Sequence, residues 1–112
     1  MLFSLKNACK VVRPGFTAFV YNSKEDLPPL NTVLVDCHKD HEKVYVKESH
    51  RVYFVMEGSG TFTVGKEIYK VQPFDVVVIP PKVPYSYEGK MKLFEANFPA
   101  TGEEDEVRVE DG

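Results

Sequence analysis

The chain has 112 residues, 43% hydrophobic and 28% charged, the composition of an ordinary folded domain rather than of a disordered or fibrous chain. One domain is the natural count, and a core this small leads us to expect a partner subunit that extends it. A net charge of −3 gives no basis for nucleic-acid binding, which needs clustered Lys and Arg against the phosphates.

That charge is uneven. Residues 102–112 hold six acids against Arg108, a charge of −5, which leaves +2 on the rest of the chain. We therefore expect a single domain over 1–101 and an acidic C-terminal tail over 102–112 that serves as a solvated end. Cys9 and Cys37 are the only cysteines and show no metal-finger or disulfide-scaffold spacing. No stretch reaches the ~20 apolar residues of a bilayer span, and the N-terminus lacks the apolar core of a signal peptide. A cytoplasmic protein without a membrane partner is the expectation.

In chain order, apolar residues recur with a period near two in short runs, the pattern of half-buried strands. Strands are predicted at Phe16–Tyr21, Thr32–Val35, Lys43–Lys47, Val52–Met56, Gly60–Val64, Glu67–Val71, Val76–Pro80, Tyr85–Tyr87 and Met91–Phe98. Turn residues separate them: Asn22-Ser23, Pro28-Pro29, Gly58-Ser59-Gly60, Gly65-Lys66, Gln72-Pro73, Pro80-Pro81 and Gly89-Lys90. Gly58 and Gly60 are expected to flank a sharp reversal. Ser23 can cap one short helical turn before the prolines stop it. Many short strands at close spacing describe an antiparallel sandwich or barrel.

Residues 50–87 read HRVYFVMEGSGTFTVGKEIYKVQPFDVVVIPPKVPYSY. A strand ending in Glu-Gly-x-Gly, a hairpin, a turn into Asp-Val-Val-x-Ile-Pro-Pro and a following Val-Pro-x-x-Tyr/Phe resemble the cupin family. The resemblance covers the core from Lys43 to Pro99 and implies an all-β fold, the double-stranded β-helix or jelly-roll barrel. Phe74 departs from the pattern, since the family more often has Pro-Gly-Asp where this chain has Pro73-Phe74-Asp75. The fold hosts many activities, so function must come from the site.

In metal-dependent cupins two histidines, an acid and a later histidine hold a divalent ion, a set suited to iron, manganese, nickel or zinc. The resemblance places Tyr45, Lys47, Arg51 and Tyr85 at those four positions. Two cations there repel a metal ion, so no metal and no cofactor is expected at this locus. A relocated set using His38, His41 and either Glu48 or His50 is the alternative. His38 and His41 otherwise read as part of a polar surface turn, and His50, next to Arg51, faces away from the pocket unless a bulge intervenes.

With Arg51 turned inward, period two brings Tyr53 and Val55 inward on the same strand, with Tyr45 and Lys47 beside them and Tyr85 and Tyr87 opposite. Tyr45, Lys47, Arg51, Tyr53, Tyr85 and Tyr87 are the candidate ligand-binding residues. Tyrosine offers a flat face and a hydroxyl, and arginine a planar fork, so a small anionic or sugar-like ligand is expected. The structural alternative is that Lys47 and Arg51 pair with Glu48, Glu95 or another acid while the tyrosines fill the barrel. Glu95 and Asn97 face either solvent or the pocket. A second functional reading is a metal-free sugar or small-acid isomerase or epimerase, in which Tyr85 or Tyr45, loosened by Arg51 and Lys47, moves protons. The expected assembly is a homodimer, with Phe54 and Phe74 as contact candidates.

Overall fold

A computed structural model describes residues 1–110, and Asp111 and Gly112, the end of the expected tail, lie outside the described residues. Nine strands follow in order: β1 Cys9–Val12, β2 Phe16–Val20, β3 Asn31–Cys37, β4 Asp40–Val46, β5 His50–Val64, β6 Glu67–Val71, β7 Val76–Ile79, β8 Tyr85–Phe98 and β9 Glu106–Arg108. All the pairings are antiparallel. One wall runs β1-β2-β3-β8-β5-β7 and the other runs β9-β4-β8-β5-β6, the two sharing β5 and β8. This is the jelly-roll barrel. Among the described residues no helix is long and apolar enough to cross a membrane, and both cysteines are free.

The two longest strands each correspond to two predicted ones. Gly58-Ser59-Gly60 is not a reversal: β5 runs through it, paired with β8 from His50↔Phe98 to Val64↔Tyr85. The register slips by one residue between Val55 and Glu57, Gly58 sits at φ 80°, and Gly89 opposite Gly60 sits at φ 131°. A Cβ on Gly58 would lie 2.0 Å from the Lys90 carbonyl oxygen, so only glycine lets the strands bend together here. A bulge and glycines at a shared corner carry both strands from one wall to the other.

The expected helical turn is present as a single turn at 24–26. Ser23 Oγ accepts from the Asp26 N–H at 3.2 Å while the Asp26 carboxylate accepts from the Ser23 N–H at 2.9 Å, a reciprocal cap. Alternation holds along most strands: Val33, Val35 and Cys37 on β3, Tyr53 and Val55 on β5, Val77 and Ile79 on β7 and Leu93 on β8 are buried inside the barrel.

Two local departures shape the rest. Residues 102–108 are not a solvated end: they form a short 3-10 turn at Glu103–Asp105 and then β9, which pairs with β4 at Val44↔Arg108 through Val46↔Glu106. The alternation of Glu106, Val107, Arg108 and Val109 fits a strand that leaves its partner a polar face. Phe74 takes φ 77°, a conformation that favours glycine and costs a bulky residue about 1–2 kcal/mol. The turn is held there by the Phe74 N–H to the Val55 carbonyl at 2.8 Å, the Val55 N–H to the Asp75 carbonyl at 3.0 Å and the Gln72 N–H to the Asp75 carboxylate at 2.9 Å.

Candidate functional site

A cavity of about 600 Å³ occupies the barrel, walled by Val11, Ala18, Val20, Val33, Val35 and Val44 and furnished with His41, Arg51 and Glu95. Its mouth is bordered by the C-terminal segment, which ion pairs tie down: Arg13 to Glu103 at 2.7 Å, Lys24 to Glu104 and Asp105, and Arg108 to Glu42.

Arg51 is 2% exposed and organises the polar end of the cavity. Its Nε donates to Asn97 Oδ1 at 2.6 Å, and its Nη1 donates to Tyr85 Oη at 2.7 Å and to Glu106 Oε1 at 2.5 Å. Glu95 Oε2 lies 3.6 Å from Nε and accepts from Asn97 Nδ2 at 2.9 Å. Burial works against the arginine charge, but Glu95 above all, with Glu106, outweighs it and holds the guanidinium ionised beyond its ordinary range. The expected pairing with an acid is thus present through Glu95 and Glu106, and Glu95 and Asn97 face the interior.

The tyrosines form a second layer. Tyr53 Oη and Tyr85 Oη are 2.7 Å apart, and the rings of Tyr53, Tyr85, Tyr87 and Phe62 pack at centroid distances of 4.8–6.5 Å. Burial pushes the Tyr53, Tyr85 and Tyr87 phenols well above the ordinary range, Glu95 adds to the shift, and Arg51 only partly offsets it. The expectation that an adjacent cation loosens the tyrosine proton is therefore corrected: these phenols are neutral donors and acceptors. The Tyr87 hydroxyl is buried with no partner among the described residues.

Tyr45 and Lys47 are not in this set. His41 pairs with Tyr87 and Val44 with Tyr85, three steps on β4 against two on β8, so one extra residue bulges β4 at Glu42-Lys43. The bulge sends His41, Val44 and Val46 inward and leaves Tyr45 half-buried and Lys47 exposed on the outer side, against a separate shallow depression with Pro81 and Lys82. The apolar alternation of Val44 and Val46 against Lys43 and Lys47 carried this parity in the sequence.

His41 is the residue that the surface-turn reading missed. It is 8% exposed, stacked on Phe16 at 4.7 Å and packed against Tyr87 at 5.1 Å and Tyr85 at 5.6 Å. Nδ1 is 2.6 Å from the Glu42 carbonyl, which can only accept, so Nδ1 carries the hydrogen. Nε2 has no partner among the described residues, and its lone pair is available to a molecule in the cavity. His38, Glu48 and His50 are exposed, so the alternative metal set does not come together. No group of three His, Cys, Asp or Glu side chains able to hold an ion occurs among the described residues. Nor does the interior suit a divalent ion: it offers one imidazole, and its two carboxylates are turned onto a guanidinium.

The family model for the cupin domain matches residues 33–94. The chain belongs to the cupin family. This cupin is 31% identical over 61 residues to an uncharacterized protein of Methanocaldococcus jannaschii, a stretch that is 51% of this chain and 49% of the relative, so the match spans about half of that protein. Among solved structures, Streptomyces Pac13, described as a nucleoside dehydratase, superposes with a TM-score of 0.89 at 24% identity over 97% of this cupin and 90% of Pac13. Pac13 variants with one histidine changed to glutamine or one tyrosine changed to phenylalanine are solved with uridine. Oxalate decarboxylase of Bacillus subtilis superposes with a TM-score of 0.82 at 18% identity, over 96% of this cupin and 31% of that enzyme. At these identities the solved structures support the fold alone.

Proposed function

We propose that this cupin binds a neutral, sugar-bearing small molecule of the nucleoside class in the barrel, and that His41 exchanges a proton with it. The observation that carries the reading is the charge balance at Arg51. Two carboxylates, Glu95 and Glu106, already compensate the one guanidinium, so the interior has no surplus cation for a phosphate or carboxylate. The anionic half of the sequence expectation loses its footing, and the sugar-like half gains it. The Glu95 carboxylate and the Asn31 amide on the cavity wall suit ribose hydroxyls, and the flat face of Phe16 stacked beside His41 suits a ring. A cavity near 600 Å³ has room for such a molecule.

On a sugar that carries a carbonyl, an imidazole with Nδ1–H fixed and Nε2 open can take the proton from the carbon beside that carbonyl and return it to the hydroxyl departing from the next carbon, which releases water and leaves a C=C bond. Pac13 supports this chemistry as a precedent on the same fold, through its description as a dehydratase and the histidine and tyrosine variants solved with uridine. No metal is assigned a part in the reading, because the two interior carboxylates, Glu95 and Glu106, are engaged with Arg51 and leave His41 as a single imidazole.

Calorimetric titration tests it with uridine, inorganic phosphate and oxalate as probes. Saturable heat with uridine, and none with either anion, is the expected result; binding of oxalate or phosphate without uridine would reverse the charge argument. His41→Gln should keep uridine binding within about tenfold, because the amide leaves a polar group at the cavity wall although the ring packing on Phe16, Tyr85 and Tyr87 is lost.

A further inference from the structure

Strand β4 lies between two partners, β8 on one side and β9 on the other. On the β8 side its ladder is broken at Glu42 and Lys43, where the extra residue bulges. A bulge leaves backbone groups without ladder partners, and one of them, the Glu42 carbonyl, accepts from His41 Nδ1 at 2.6 Å. That bond decides which nitrogen of His41 meets the cavity as a base. A carbonyl turned away frees the hydrogen to sit on Nε2, and the cavity then faces a donor in place of a lone pair.

On its other side the bulge is gripped by the C-terminal segment. Val44 is registered with Arg108, the Val109 N–H donates to the Lys43 carbonyl at 2.9 Å, and the Arg108 guanidinium pairs with the Glu42 carboxylate. Both bulged residues are therefore fastened, one through its side chain and one through its carbonyl. Glu42 and Arg108 also line the cavity, together with Glu103, Glu104 and Glu106 of the same segment. The hold is light: β9 is three residues long, β4 is its one strand partner among the described residues, and the Arg108 and Glu42 side chains are 66% and 46% exposed. Exposed ion pairs add little to the stability of a fold, so residues 106–109 can loosen locally while the barrel stays folded.

We propose that residues 106–109 are the positioning element of His41, with Arg108 and the Val109 N–H acting through the bulge at Glu42-Lys43. One segment then both borders the mouth and sets the tautomer, so the base is aimed only while the cavity is covered. Use of that base in a reaction rests on the reading given above. The tautomer itself does not, and it is measured without a ligand.

Long-range proton–nitrogen NMR of the labelled chain at mildly alkaline pH tests the assignment. The chain has three histidines, so exposed His38 and His50 serve as references, and His41→Gln identifies the remaining signal. Wild-type His41 is expected in the Nδ1–H form. Val109→Pro removes the N–H that holds Lys43 and should move the His41 tautomer ratio at least about threefold toward Nε2–H. Arg108→Ala should move it in the same direction, and Arg108→Lys, which keeps a cation beside Glu42, should restore most of the wild-type signal. A merely structural role for the segment would lower stability and leave this ratio alone. Circular dichroism reports folding, and Arg108→Ala, at an exposed side chain, decides the matter if Val109→Pro does not fold. Wild-type His41 with its hydrogen on Nε2 overturns the proposal, as does a wild-type ratio in every folded variant. A shifted ratio in a chain that gives no heat with uridine counts against the ligand reading and supports the positioning role.

Discussion

Arg51 Nη1 donates to Glu106 Oε1 at 2.5 Å, which ties the middle of the barrel to the last strand of the chain. Fifty-five residues separate the two, and β9 brings them together by pairing with the inward-facing part of β4. The ion pair therefore balances charge in the cavity and also keeps the C-terminal segment over its mouth.

Glu106→Gln should lower stability by about 1–2 kcal/mol, the small side of the range for a buried pair because Glu106 keeps 29% of its side chain in solvent. Arg51→Ala should cost more, about 3–5 kcal/mol, since it leaves Glu95 buried without its cation. Urea denaturation of both variants reads the order. Equal midpoints for Glu106→Gln and wild type would mean that the C-terminal strand does not compensate the arginine.

Tyr85 and Tyr87 are neighbours of similar burial with opposite hydrogen-bond status. Tyr85→Phe removes the hydroxyl that accepts from Arg51 and meets Tyr53, at a cost of about 1–3 kcal/mol. Tyr87→Phe removes a hydroxyl with no partner among the described residues and should be neutral or slightly stabilising, within about 0.5 kcal/mol. Thermal melts of the two variants check the contrast, and a Tyr87→Phe that melts below Tyr85→Phe contradicts it.

The raised phenols set an alkaline limit. Below the ordinary phenol value of 10.0 both folded and unfolded chains keep these protons, so the contribution is fully present. As pH rises past it, the unfolded chain releases protons that Tyr53, Tyr85 and Tyr87 retain, and stability falls until their folded values are passed. Tyrosinate absorbance followed with circular dichroism should therefore show three of the six tyrosines ionising only as the fold is lost. Ionisation of all six with an intact circular dichroism signal would contradict the burial.

Much of the barrel was legible in advance because strand burial is a period-two property of neighbouring residues. Arg51, Tyr53 and Val55 on β5, and Tyr85 and Tyr87 on β8, point inward as their alternation required. The same rule misplaced Tyr45 and Lys47, because their register was taken from a family spacing and one bulged residue reverses parity. It also divided β5 and β8 at glycines. A glycine at positive φ marks a turn and a strand corner with the same residue type, and only the partner strand distinguishes them.

The sequence by itself determined the all-β class and, with Arg51 placed inward by the family resemblance, the sharing of the interior by Arg51, Tyr53, Tyr85 and Tyr87, since alternation and turn chemistry act within a few residues. Only the tertiary structure decided that His41 enters the cavity, that Glu95 and Glu106 neutralise Arg51, and that the acidic C-terminal segment is part of the barrel. Those three facts depend on which distant strands become neighbours and on a one-residue slip between them. Packing of the whole chain selects such pairings, and no local run of side chains encodes them.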